Sequence, residues 1–383
     1  MNIRATVPGE KFEQVKKGAQ KTNGVTVLIT KKASAIKPKA IRWMWPDRFA
    51  LGKLGLIGGM PDKGKGLITC DLIACITSGH PLPCEEGNTP HGSVLYFTAE
   101  DDYNDTVVPR LMAAGANLDK VDIVQMMDDS GNPRMFNMVT DLAALKTKIE
   151  EIGDVIMVVI DPMSAYQGHG KINQASTSDI RSFLCPLTDM ASELRVFILG
   201  IMHFNKKADI TNAMLRIADS LAYVAAARHV YVVVDDTENE GHRLFVKAKN
   251  NLATDKKALR YTTGSKLVGK DEEDDKEIWA PYLIWGQDHV EITATEAMQA
   301  ESGGGNKRSS EELDEATDFL RTELCMGAKP STEIDESAKA AGITVATLRR
   351  AKKKLKIKSV KEKGVLGGGW AIRLPTEEEE REF

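Results

Sequence analysis

The sequence predicts an α/β fold, a mostly parallel sheet flanked by helices, followed by a small carboxyl-terminal module of different composition. Three observations point there. Between Trp43 and about Asn251, short apolar runs typical of buried strands alternate with helical patterns. One of these runs leads directly into a Gly-x-x-x-x-Gly-Lys loop, Gly59 to Lys65. Past "ESGGGNKRSS", Glu301 to Ser310, the apolar runs give way to short helical patterns, a dense basic cluster and a glycine turn.

Residues 1–40 form a basic lead-in, with Lys11, Lys16, Lys17, Lys21, Lys31, Lys32, Lys37 and Lys39 and little periodic hydrophobicity beyond "VTVLI". Residues 41–295 form the α/β core. Its strands are "LGLIG", "SVLYFTA", "VIMVVID", "VFILGIM", "HVYVVVD" and "LFVKAK", closed by a β-rich segment over 252–290 that ends with "YLIW". Residues 296–310 are expected to link this core to a module over 311–375, and 376–383 form an acidic tail.

A chain of 383 residues suits one sizeable core plus a smaller module. Its formal net charge of −4 gives no overall attraction to nucleic acid, so any such attraction must be local. Cys70, Cys75, Cys84, Cys185 and Cys325 are odd in number and form no C-x-x-C knuckle, which points to reduced thiols rather than a disulfide framework or a zinc site. No stretch approaches the roughly 20 apolar residues of a membrane span, and the expected compartment is the cytoplasm.

The loop follows the strand run Leu54 to Ile57 and precedes the helical pattern "LITCDLIACITSG". Strand, glycine loop and helix is the arrangement in which successive backbone N–H groups and a helix amino terminus cradle phosphates. Gly59, Met60, Pro61, Asp62, Lys63, Gly64, Lys65, Gly66 and Leu67 make up this candidate nucleotide site, with Lys65 reaching the β- and γ-phosphates. Gly66 stands where such loops carry a magnesium-binding Ser or Thr, so nucleotide binding is expected more firmly than efficient hydrolysis. Asp62 must point outward or pair with Lys63, because a carboxylate inside the loop would repel phosphate.

Two acidic strand ends complete the chemistry. "VIMVVID" ends in Asp161, placed to anchor magnesium through water. "VLYFTAED" ends in Glu100, placed to polarise an attacking water. For each, the competing reading is an acidic loop residue with no catalytic part.

"WMWPDRFALGKLGLIGGMPDKGKG", "YFTAEDD", "VVIDPMSAY", "IMHFNKK" and "AAARHVYVVV" together resemble the RecA-like P-loop ATPases of plasmids and prophages, the group of RepA-type hexameric replicative helicases. The resemblance implies a RecA-like core, ATP and Mg2+ as cofactors, a homo-oligomeric, hexameric ring and association with DNA. It makes Glu100, Asp161, His203 and Arg228 the catalytic set: water activation, metal anchoring, γ-phosphate sensing and an arginine finger reaching a neighbouring subunit. Lys247 and Lys249 are candidates for the same interface. The competing readings are a His203 satisfied by a loop carbonyl and an Arg228 that caps a helix end. Ala218 to Ser220 also departs from the Gly-Ser turn usual in the family.

The module carries "AAGITVATLRRAKKKLKIKSVKEKGVLGGGWAIRLP". Helix, turn at Gly342, basic helix and a glycine-turned strand pair with a buried-looking Trp370 predict a winged helix-turn-helix domain that binds duplex DNA. Thr347, Arg349 and Arg350 are expected to face a groove, and Lys352, Lys353 and Lys354 to hold phosphates. Docking of a protein partner is the alternative. In the core, His169, Lys171, Lys206 and Lys207 lie on long loops after strands and are candidates for tracking single-stranded DNA.

Overall fold

The computed structural model describes residues 30, 32–128, 130–167, 177–204, 216, 221–253, 257–301, 306–324, 327–361 and 370–375. Most of the basic lead-in, His169, Lys171, Lys206, Lys207, the Ala218–Ser220 turn, Cys325 and the acidic tail lie outside these residues. The chain divides into two compact units, Met1–Thr295 and Glu296–Phe383.

The first unit opens with a small antiparallel hairpin, β1 (Trp43–Trp45) and β2 (Phe49–Ala50). β3 (Leu54–Gly59) follows and feeds α1 (Lys65–Ser78). Next come β4 (Ser93–Thr98), α2 (Val108–Ala114) and β5 (Val121–Ile123). A short hairpin, β6 (Met126–Met127) and β7 (Pro133–Arg134), precedes α3 (Leu142–Ile152) and β8 (Val155–Asp161). Then come α4 (Thr177–Leu194), β9 (Phe197–His203) and β10 (His229–Asp235). The unit closes with β11 (Arg243–Asn250), β12 (Ala258–Lys270) and β13 (Glu277–Val290).

Nine strands form one sheet in the order β13-β12-β11-β10-β3-β9-β8-β4-β5. From β10 to β5 every neighbouring pair is parallel, whereas β11, β12 and β13 extend the sheet antiparallel from β10. The parallel strands β3 and β4 are buried at every position, which is why they read as unbroken apolar runs instead of alternating ones. Trp45, Phe49, Phe197, Tyr231 and Phe245 anchor the core, with Phe49 and Phe197 stacked at 4.9 Å and Tyr231 and Phe245 at 4.5 Å. Each such ring contributes on the order of 2–3 kcal/mol by leaving water. Because all six parallel strands run the same way, their carboxyl ends open on one edge of the sheet, and that edge carries the loop.

In the second unit three helices, Asn306–Leu324, Ser331–Ala340 and Val345–Lys354, surround a small apolar core of Leu320, Ile334, Leu348, Ala351 and Ile372. A three-stranded antiparallel sheet joins them, β14 (Lys329–Pro330), β15 (Lys358–Lys361) and β16 (Trp370–Arg373), in the order β14-β16-β15. Gly342 turns the chain between the last two helices at φ +77°, a conformation a side chain would resist.

Three sequence expectations change here. The linker expected over 296–310 is shorter, because helix-forming "ATEAMQAE" continues to Glu301 and the next helix begins at Asn306. Trp370 is 61% exposed, since it pairs with Lys361 at the turn end of the β15–β16 hairpin, away from the apolar core. Thr347 is buried and does not face a groove. Thr344 caps the Val345–Lys354 helix by accepting from the Thr347 amide at 3.1 Å, and the two hydroxyls share a 2.9 Å hydrogen bond.

Candidate active site

The loop between β3 and α1 takes its shape from two glycines. Gly64 sits at φ +82° immediately before the helix. A Cβ on Gly59 would meet the Val233 carbonyl oxygen of neighbouring β10 at 2.9 Å, so the strand end tolerates no side chain. Asp62 is exposed and also left-handed, at φ +61°. Lys63 does not pair with it. Lys63 instead makes an ion pair with Asp235 at the end of β10, and its carbonyl accepts a hydrogen bond from the Tyr261 hydroxyl. These contacts fasten the outer side of the loop to β10 and β12.

Lys65 is the first residue of α1 and is buried. Its Nζ donates to the carbonyls of Gly59 at 3.0 Å and Met60 at 2.8 Å. Burial pulls the ammonium down to about 8, against the opposing pull of Asp161, Glu100 and Asp62. Asp161, at the carboxyl end of β8, is pushed up to about 7 by burial and next by the charge of Glu100, with Lys65 acting the other way. One buried cation and two carboxylates thus share a small volume at the sheet edge.

The three acids after β4 have separate surroundings. Asp102 caps the following turn, accepting from the Asn104 and Asp105 amides. Asp101 pairs with Arg110 of α2 at 2.7 Å. Glu100 is exposed, and its Oε2 lies 3.3 Å from Nε2 of His203. His203 stands directly across from Gly59 in the β3–β9 register, and its buried Nδ1 has no hydrogen-bond partner. The edge therefore gathers Lys65, Asp161, Glu100 and His203 from four different strand ends or loops. Arg216 adds a buried guanidinium beside them, lying over the Phe204 ring at 5.0 Å with Nη2 3.7 Å from the Met60 sulfur.

Arg228 lies elsewhere. It precedes β10, its amide donates to the Leu54 carbonyl at 2.9 Å, and its side chain is exposed. Because β10 pairs His229 with Gly55 and Val233 with Gly59, Arg228 is about five residues, roughly 16 Å, from the loop of its own chain along the sheet. The helix end beside it, Leu221–Ala226, is capped by Lys249, whose Nζ donates to the carbonyls of Val224 at 2.6 Å and Ala227 at 2.8 Å. Lys247 is half-buried on the same strand, opposite Tyr231.

Arg110, Asp235, Tyr261 and Arg216 were not marked by the sequence. Asp235 ends an apolar strand run just as Asp161 does, and that was the one available signal. The other three touch the loop region only through tertiary structure.

In the second unit, Arg349, Lys353 and Lys354 are exposed, while Arg350 donates to the Thr347 hydroxyl at 3.2 Å and Lys352 pairs with Asp335 at 2.7 Å. Lys352, Lys353, Lys356 and Lys358 line one shallow groove. Among the described residues no helix is long and apolar enough to cross a membrane.

Residues 22–209 match the family model described as an AAA domain. Among solved structures, the ATPase domain of a helicase is similar with a TM-score of 0.41 and 13% identity, over 54% of this chain and 81% of that one. No curated protein matches the sequence. The matched segment spans the loop, Glu100, Asp161 and His203, so the part of the chain that builds this edge is similar to AAA-type P-loop ATPase domains.

Proposed function

We propose that this chain is an ATP-binding, ATP-hydrolysing, DNA-associated RecA-like ATPase of the replicative helicase or loader type, working as a homo-oligomeric ring in a mobile genetic element. The observation that carries the reading is the convergence of Lys65, Asp161, Glu100 and His203 on one sheet edge beside a glycine loop. Lys65 leaves the Gly59 and Met60 carbonyls for the β- and γ-phosphates. Glu100 orients the attacking water and accepts its proton. His203 exchanges Glu100 for the γ-phosphate and so reports its presence to the chain that follows β9.

For Mg2+ the donor set is thin. Gly66 offers no oxygen, and among the described residues no group of three or more His, Cys, Asp or Glu is arranged to hold a metal. Asp161 is the residue that would hold the ion, through water, with the phosphates supplying most of its shell. When bound, the ion supplies charge that offsets the negative phosphates. Arg228 is out of reach of its own loop, which supports a role at a neighbouring subunit's nucleotide.

The second unit is read as a winged helix-turn-helix. Its order of helix, strand, helix, helix and two-stranded wing supports this, with Val345 84% exposed at the start of the basic helix and Arg349, Lys353 and Lys354 outward. Duplex DNA is its proposed partner, and single-stranded DNA that of the core loops. A second reading, a nucleotide-gated DNA-binding regulator with little hydrolysis, is favoured by Gly66 and by the His203 hold on Glu100.

The test is ATP turnover with and without single-stranded DNA, alongside mass photometry with a non-hydrolysable analogue. DNA-stimulated turnover by a ring supports the motor. Nucleotide-dependent assembly without turnover supports the regulator, and no nucleotide binding overturns both.

A further inference from the structure

Gly66 lies inside α1 with ordinary helical backbone, so its lack of a side chain is not forced by φ. Space does not force it either. Outside its own helix and neighbours, the one heavy atom within 4 Å of where a Cβ would stand is Nη1 of Arg110, at 3.8 Å. A serine hydroxyl in this position would project toward that guanidinium.

Arg110 is placed there by α2, and Asp101, next to Glu100, holds its Nη1 at 2.7 Å. The Arg110 side chain is 29% exposed, open enough to exchange partners. Its charge is felt at the buried Cys70 thiol and Tyr96 hydroxyl together with that of Asp161, so the guanidinium and the Asp161 carboxylate face the same small region beneath the loop. The chain thus pairs a missing metal-binding hydroxyl with a cation beside the gap.

We propose that Arg110 is a phosphate-binding residue of this site, whose guanidinium takes over the charge-neutralising part of a hydroxyl-held magnesium ion, so that the loop binds nucleoside triphosphate nearly as well without divalent cation as with it. The proposal rests on the nucleotide reading above. A guanidinium suits the task because it is permanently charged and presents a planar fork of donors that matches phosphate oxygens. Asp101 keeps the fork oriented toward the loop, and Gly66 leaves room for it to approach.

The experiment is equilibrium binding of a fluorescent ATP analogue to the full chain in magnesium and in EDTA. Wild type should lose less than about threefold in affinity on removal of magnesium. Arg110→Gln should lose about 30-fold in EDTA, the loss of a charge-assisted bidentate contact, and recover part of it when magnesium is restored. Adding Gly66→Ser to Arg110→Gln should increase that magnesium-dependent recovery.

Asp101→Asn, which breaks the same ion pair but keeps the cation, separates charge from folding and should bind in EDTA within about threefold of wild type. Arg110→Gln binding as well as wild type in EDTA would overturn the proposal, as would a wild type that loses about 30-fold or more there. Wild type failing to bind in either buffer would instead overturn the nucleotide reading itself.

Discussion

The two ends of the parallel sheet are built from the same strands and handle charge in opposite ways. At the carboxyl edge, Lys65 and Asp161 are buried beside Glu100 and His203, with the Lys65 ammonium lowered to about 8 and the Asp161 carboxyl raised to about 7. At the other edge, Arg48 is fully buried against Glu86, with hydrogen bonds of 2.6 and 2.7 Å, and Glu86 also accepts from Trp45 at 2.7 Å. Burial pushes Glu86 up, but the Arg48 pair and the bonds from His289 and Trp45 outweigh it and leave its carboxyl below the usual range. One edge holds charges whose energy an incoming phosphate can lower, and the other holds charges already satisfied. The difference separates a site from a brace more clearly than burial does.

Arg228 is the sharpest test of this division, because it lies at the braced edge and is assigned a catalytic part. Arg228→Ala should lower ATP turnover by about 10³-fold with nucleotide affinity unchanged. Mixing it with Lys65→Ala protein should restore part of the turnover, where an intact loop meets an intact arginine. Unchanged turnover in the single variant would return the whole edge to structure. Glu100→Gln, at the other end, should cost about 10²-fold in turnover or more while Tm moves little, since Glu100 is exposed.

The brace should respond in stability instead. Glu86→Gln leaves the Arg48 cation buried without its counter-charge and should cost about 3 kcal/mol in denaturant unfolding, with the loop's nucleotide affinity kept in the folded fraction. His229 gives a smaller, pH-dependent effect. Its Nε2 accepts from the Ala50 amide at 3.2 Å and Nδ1 faces Asn250, so the neutral ring is the one the fold holds. Burial lowers its pKa from 6.5 to about 4.

With the folded value depressed, the unfolded chain binds the extra proton first as pH falls. The stabilisation is therefore whole above about pH 6.5 and is lost progressively toward pH 4, by up to about 3 kcal/mol. His229→Gln should flatten that limb of the Tm–pH curve relative to wild type. A parallel fall in both proteins would remove His229 as its source.

Much of the architecture is legible in the chain because parallel strands buried on both faces must be apolar throughout, as β3, β4 and β9 are. The loop is legible because glycine spacing and strand-loop-helix order are local. What the sequence hides is set by contacts between distant residues. "EDD" offers three equivalent acids until Asp101 meets Arg110, Asp102 caps a turn and Glu100 meets His203, 103 residues away. Lys63 finds Asp235 and not its neighbour Asp62, because the loop is tied outward to β10. Thr347 has the look of a groove residue on a helical wheel, yet its hydroxyl belongs to the helix cap. Trp370 has the look of core, yet strand pairing leaves it at a hairpin end.

The two hydrogen bonds from Lys65 to the Gly59 and Met60 carbonyls also bear on kinetics. An ammonium already shared between two backbone oxygens has to let go of them before it can serve a phosphate. Nucleotide capture then separates into a diffusional encounter, whose rate grows with concentration, and a transfer of the lysine, whose rate does not. In stopped flow this produces an observed rate that levels off at high ATP, and the plateau measures how firmly the loop holds its own lysine.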